Sequence, residues 1–287
     1  MKLVIASAAA IAAALVAAGP VAAKDGPSVK IEHAVARVVV IVEDRADIGV
    51  EIEQGASGLP TVRVRRRGDD VIINGGLRGG PFGNHNAIRN CQSGPESARQ
   101  PGEGASVEVR EVGTVNLANA PLIVIRTPRA VDVGVESGAV FGAVGRGASS
   151  IELGNGGCGD WTVANTDGTM SLSIMGSGDM RAGTSSRLEA SIMGSGDIHA
   201  GATGRLEANV MGSGDISAAR VDGPVEANIM GSGDINVPGT VTNVEANIMG
   251  SGDINVGGAT GAVSQSVMGS GNIVIAGQAV RQTRRGR

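Results

Sequence analysis

The stretch VEANIMGSGD occupies positions 225–234 and recurs unchanged at positions 244–253. Working outward, M-G-S-G-D also begins at Met175, Met193 and Met211, and Met268 begins a copy that ends in Asn272. Successive start positions differ by 18, 18, 19, 19 and 19. One more copy lies upstream, where Gly157-Cys158-Gly159-Asp160 precedes Gly176-Ser177-Gly178-Asp179 by the same interval and Cys158 takes the Ser slot. Seven units therefore lie between about residues 151 and 275. A near-constant short period of this kind is the mark of a stacked repeat architecture.

Each unit predicts two short strands joined by a glycine turn. Before the turn the apolar residues alternate, as Val225, Ala227 and Ile229, then Val244, Ala246 and Ile248. After it come Ile235 and Val237, then Ile254 and Val256. Period-two alternation is the strand signal. Glu226, Asn228, Glu245 and Asn247 fall between and face the other way. A unit this short cannot bury its own apolar side. Stacking rungs at ~4.8 Å closes the backbone hydrogen bonds and lines like residues over like. The paired turn glycines are Gly176 and Gly178, Gly194 and Gly196, Gly212 and Gly214, Gly231 and Gly233, Gly250 and Gly252, Gly269 and Gly271. They suit a corner needing φ > 0. The fold class that follows is all-β: a parallel β-solenoid, or single-stranded β-helix, with an irregular strand-rich N-terminal part.

Composition agrees. Glycine makes up 47 of 287 residues, about 16% against the usual ~7%. Trp161, Phe82 and Phe141 are the only aromatics, so the core must be thin and aliphatic. Residues 1–23 predict a secretory signal peptide. Lys2 supplies a basic start, residues 3–18 are apolar and small, and Val21-Ala22-Ala23 fits a small-x-small cleavage site before Lys24. The apolar run is short for a membrane span, and no later segment could form one. The net charge of −4 becomes −5 when Lys2 is removed. Two cysteines, Cys91 and Cys158, in an exported chain predict a disulfide.

Upstream of the repeats, residues 24–127 predict an N-terminal β region. Residues 38–42 and 48–52 form a strand pair, and residues 61–67 and 71–74 form a hairpin through Gly68-Asp69. Residues 75–106 form a mobile Gly/Pro/Ser/Asn-rich loop holding Cys91. Strands resume at 107–112 and 122–126. The solenoid is placed at 128–280, with Val131, Val133 and Val135 as a degenerate first rung. A frayed basic tail is placed at 281–287.

In order, a signal peptide, a strand pair, a hairpin near Gly68, the strand at 122–126 with Thr127-Pro128, and repeated G-S-G-D turns resemble the auto-transporter adhesin head domain family, also called the GIN domain. The resemblance is strongest over residues 120–275. It implies a parallel β-helix-like fold in a bacterial envelope or secreted protein. No outer-membrane barrel follows the repeats, so self-transport is not expected.

The side chains offering chemistry fall into columns. Asp160, Asp179, Asp197, Asp215, Asp234 and Asp253 would stack ~5 Å apart, where repulsion is about 0.8 kcal/mol per pair in water. The column must be wet, bonded to amides or neutralised. Each Asp is expected to cap its own turn. The alternative is a calcium ladder at Asp179, Asp197, Asp215, Asp234 and Asp253, as in repeat-in-toxin rolls with G-G-x-G-x-D turns, but here Asp directly follows the second Gly and each rung has one such turn. No metal or cofactor is expected. Met175, Met193, Met211, Met230, Met249 and Met268 follow an inward residue. They either form an outward apolar strip for a partner or fold into the corner. Glu189, Glu207, Glu226 and Glu245 tempt a polysaccharide-cleaving reading, but they recur identically, whereas a catalytic site is a unique constellation. His33, His85 and His199 have no Ser, Cys or Asp at triad-like spacing, and Arg63, Arg65, Arg66 and Arg67 make a local basic patch. Negative charge and few aromatics argue against nucleic acid. The function expected is an exported, non-catalytic binding or structural module, adhesin-like, whose partner is an envelope protein or glycan and which can self-associate. The alternatives are a β-helix polysaccharide-cleaving enzyme and a periplasmic scaffold.

Overall fold

The computed structural model describes residues 26–77 and 87–276. The signal peptide, Phe82, His85 and the basic tail at 281–287 lie outside the described residues.

The chain opens with β1 (Val29–Glu32), β2 (Ala34–Val42), β3 (Gly49–Glu53), β4 (Arg63–Arg67) and β5 (Asp70–Asn74). Next come β6 (Ile88–Gln92), β7 (Ser106–Val109), β8 (Gly113–Asn116) and β9 (Leu122–Thr127). Eight two-strand rungs follow. They are β10 (Ala130–Val135) with β11 (Gly138–Val144), β12 (Ser150–Asn155) with β13 (Trp161–Val163), β14 (Thr169–Ile174) with β15 (Met180–Ala182), and β16 (Arg187–Gly194) with β17 (Ile198–Thr203). After them come β18 (Leu206–Gly212) with β19 (Ile216–Val221), β20 (Val225–Gly231) with β21 (Ile235–Val241), β22 (Val244–Gly250) with β23 (Ile254–Ala259), and β24 (Val263–Gly269) with β25 (Ile273–Ile275).

The first strand of each rung joins one sheet and the second joins a facing sheet. The first sheet runs β24-β22-β20-β18-β16-β14-β12-β10-β1-β5-β4, the second β25-β23-β21-β19-β17-β15-β13-β11-β2-β9-β3. Neighbouring rungs are parallel and in register, so Val225 lies on Val244, Ala227 on Ala246 and Met230 on Met249. Every strand pair in both sheets is parallel except the last at one end, where β4 and β3 run antiparallel to β5 and β9. One aliphatic core runs between the sheets from Val29 to Ile275. Trp161 is buried in it, in register with Gly142, where a Cβ would sit 2.3 Å from the indole ring.

Three sequence expectations change. The N-terminal part is continuous with the solenoid: β1 pairs in parallel with β10 and β2 with β11, forming a further rung beneath the first. Strands β2 and β3 are not a pair, because β9 lies between them. The segment expected as a loop at 75–106 contains β6, which joins β7 and β8 in a three-stranded antiparallel sheet. This arm has its own apolar cluster, Val107, Val115 and Leu117, packed on Val35, Ala139 and Phe141 of the solenoid's outer surface. The disulfide joins Cys91 of β6 to Cys158, with the two Cα atoms 6.4 Å apart.

Candidate functional site

The outer face of the first sheet carries three parallel columns. Alternation turns Val225, Ala227 and Ile229 inward, so Glu226, Asn228 and Met230 face out, and register repeats the set on each rung. All six methionines of the repeat are exposed, between 48% and 67%. Of the two orientations the sequence allowed, the outward one is adopted. With Ser191, Asn209, Asn228, Asn247 and Ser266, five of them, Met193, Met211, Met230, Met249 and Met268, line a shallow groove of about 420 Å³ along the solenoid axis. The asparagines are occupied with each other: Asn247 Nδ2 donates to Asn228 Oδ1, and Asn228 Nδ2 to Asn209 Oδ1, both at 3.0 Å. The groove is therefore an apolar row beside an internally satisfied amide ladder.

Arginines hold part of the glutamate column. Arg187 donates to Glu189 at 2.7 Å and to Glu207 at 3.0 Å, and Arg205 lies 3.8 Å from Glu226.

Around the glycine corner the aspartates behave differently from the sequence expectation. Each caps the next rung and not its own turn. Asp179 Oδ1 accepts from the Asp197 amide at 2.9 Å, Asp197 from Asp215 at 2.8 Å, Asp215 from Asp234 at 2.7 Å and Asp234 from Asp253 at 2.8 Å. Asp253 Oδ1 accepts both the amide and the Nδ2 of Asn272. The first oxygen of each carboxylate is thus committed to a backbone amide. Among the described residues no group of three or more His, Cys, Asp or Glu converges as a metal site would require. At Asp179, burial pushes the carboxyl above its ordinary range, the Asp197 amide pulls it back, and Asp160 and Asp197 push it further up.

The corner itself depends on two different uses of glycine. The first of each pair from Gly194 on is left-handed, with Gly231 at φ +147°. The second has no left-handed φ, contrary to expectation. It is needed for approach, since a Cβ on Gly233 would lie 2.0 Å from the Gly214 carbonyl oxygen. That closeness lets the Ser amide of one rung donate to the Gly carbonyl of the rung before, as Ser232 to Gly212 at 2.8 Å.

Two His–Ser contacts exist that sequence spacing does not reveal. His33 Nδ1 lies 2.8 Å from Ser137 Oγ, and His199 Nδ1 lies 2.7 Å from Ser217 Oγ. The second joins residues in register on neighbouring strands, so it is one more ladder contact. In the basic patch, Arg66 donates to the Ile48 carbonyl at 2.7 Å, and the whole of β4 is exposed. Sequence reasoning also misses a cleft of about 330 Å³ between residues 94–103 of the arm and the second sheet, lined by Phe141, Asp160, Thr162 and Arg181. Arg181 reaches across it to Glu96 at 3.6 Å. Only the docked arm creates this space, and docking is not written in local spacing. No helix among the described residues is long and apolar enough to cross a membrane.

No protein-family model matches the chain, and no curated protein matches it. Four chains of solved structures match. One is the crystal structure of a Bacteroides fragilis protein described as a "putative adhesin", 15% identical over 87% of this chain and 93% of that one, with a TM-score of 0.47.

Proposed function

We propose that this chain is an exported, non-catalytic binding module of adhesin type, akin to the GIN-domain proteins its repeats resemble, and that the methionine groove is its contact surface. The observation that carries the reading is the unbroken outward row from Met175 to Met268. Contiguous exposed apolar surface on a folded protein marks an interaction site. Thioether side chains are flexible and polarisable, and adapt to a partner surface. The partner is an envelope protein or a glycan, and a second copy is a further candidate.

A disulfide between Cys91 and Cys158 supports export, since such bonds persist in oxidising compartments. Repetition supports a non-catalytic role. Outward residues recur from rung to rung, and Glu189, Glu207 and Glu226 lie in ion pairs with Arg187 and Arg205.

The test is a glycan-array and cell-surface binding screen with residues 24–287, run beside the Met211→Ser/Met230→Ser variant. We expect binding in the parent, binding lost in the variant and an unchanged melting temperature. Equal binding by both would sink the groove as the contact surface. Release of unsaturated sugars from a uronate polymer would overturn the non-catalytic reading.

A further inference from the structure

The methionine row is more uniform than the columns beside it. Along the first sheet Met193, Met211, Met230, Met249 and Met268 lie in register, each directly over the next. The glutamate column gives way to Ser264 on β24, and the asparagine column starts at Ser191 and ends at Ser266. Strand β24 departs from β22 at Ser264, Gln265, Ser266 and Val267 and then returns to Met268. A row that served only as apolar surface could take Val, Ile or Leu, and a strand favours the branched ones. From Met175 on, no such slot holds any of them. What the slot keeps is a thioether sulfur.

Soft sulfur ligands select ions such as Cu(I), while carboxylate and carbonyl oxygens suit Mg, Ca and Mn. Registered rungs stand ~4.8 Å apart. Taking the zinc–sulfur length of about 2.3 Å for each bond, two metal–sulfur bonds span about 4.6 Å, so one ion fits between the sulfurs of neighbouring rungs. The unbranched methionine side chain has the freedom to close the remaining difference. The side chains in the groove are exposed, so an ion enters from water without opening the core. Competing donors are few. No His or Cys lines the groove. Its asparagine amides are tied into their own ladder. Both cysteines are in the disulfide, so no thiolate draws the metal elsewhere. Met170 and Met180 are buried in the core.

We propose that the methionine row binds Cu(I), each ion held between thioethers of neighbouring rungs. Harder divalent ions are not retained there, because the groove offers them no free oxygen or nitrogen cluster, and His, Cys, Asp and Glu converge nowhere else among the described residues. The site needs no docked partner. It uses the same groove as the adhesin reading but stands independently of it.

Anaerobic titration of residues 24–287 with Cu(I), kept reduced by ascorbate and in competition with a chromophoric Cu(I) chelator, tests this. The variant is Met211→Leu/Met230→Leu/Met249→Leu, which keeps the apolar bulk and removes the central sulfurs. The parent should withdraw Cu(I) from the chelator, and equimolar Zn(II) should not displace it. The variant should bind at least ~tenfold more weakly, since even changes outside the ligand set cost a metal site that much. In the parent, the ε-methyl NMR signals of the groove methionines should shift on Cu(I) addition while those of Met170 and Met180 stay in place. No withdrawal by the parent overturns the proposal, as does equal withdrawal by parent and variant. Unshifted groove ε-methyl signals, read on the parent alone, overturn it as well. No partner enters the titration, so its failure leaves the adhesin reading standing.

Discussion

At the scale of single residues, the corner and the aspartate column make opposite demands. Gly231 is left-handed, and a Cβ there would lie 2.1 Å from the Gly212 carbonyl oxygen. Gly231→Ala combines a strained backbone, itself of order 1–3 kcal/mol, with a clash that lifts one rung off the next. We expect a loss of at least ~3 kcal/mol in denaturant unfolding. Gly134→Ala is the contrast: nothing lies within 4 Å of its added Cβ and its φ is ordinary, so the midpoint should hardly move. Asp179 behaves the other way. Burial is the main reason its folded carboxyl holds its proton to higher pH than the free side chain, whose ordinary value is 3.8. The folded state therefore binds more protons than the unfolded state just above that value, and stability from this group is full in acid and lost as pH rises through the folded pKa. Asp179→Asn removes the charge and keeps Oδ1 to accept from Asp197. It should raise the melting temperature at pH 7, by less than about 4 °C on the usual scale. The difference should vanish below the free-acid value, and no rise at pH 7 would show that the amide bond needs the charge. That each Asp serves the following rung was not legible from its turn, because G-S-G-D satisfies the local pattern for self-capping and only stacking reveals the alternative partner.

Among the elements, legibility follows the source of the ordering information. Strands β12 to β25 are plain in the sequence because alternation and a near-constant interval agree at every rung. Strands β1 and β2 are visible as strands but not as a rung. Their partners β10 and β11 lie far along the chain, with the hairpin, the arm and β9 threaded between. The pairing of β9 between β2 and β3 is likewise long-range, so chain order suggested the wrong neighbours. Strand β6 was hidden by composition: Gly, Pro, Ser and Asn around Cys91 argue for a loop, yet antiparallel pairing with β7 and burial of Val107 and Leu117 override it. Alternation left the methionine column with two orientations open, because only the corner geometry decides whether the side chains leave the surface or return to it. The columns themselves need no long-range information, so they are legible in the sequence while the cleft under the arm is not.

Across the whole molecule, the hydrogen bonds that join rungs lie along the long axis, while each rung touches only its neighbours. This has a mechanical consequence. Tension applied between the two ends loads the inter-rung bonds one rung at a time, so the protein should peel and not shear. Each step frees one rung of chain, roughly 60 Å of contour once the ~4.8 Å rung spacing is subtracted. Single-molecule stretching from the C-terminal side should give a sawtooth of up to six such steps, because the rungs from β14 to β25 lie beyond the Cys91–Cys158 bond. That bond is a brake on the peeling front. Adding a reductant should lengthen the record, and a single rupture without intermediate steps would show that the rungs yield together.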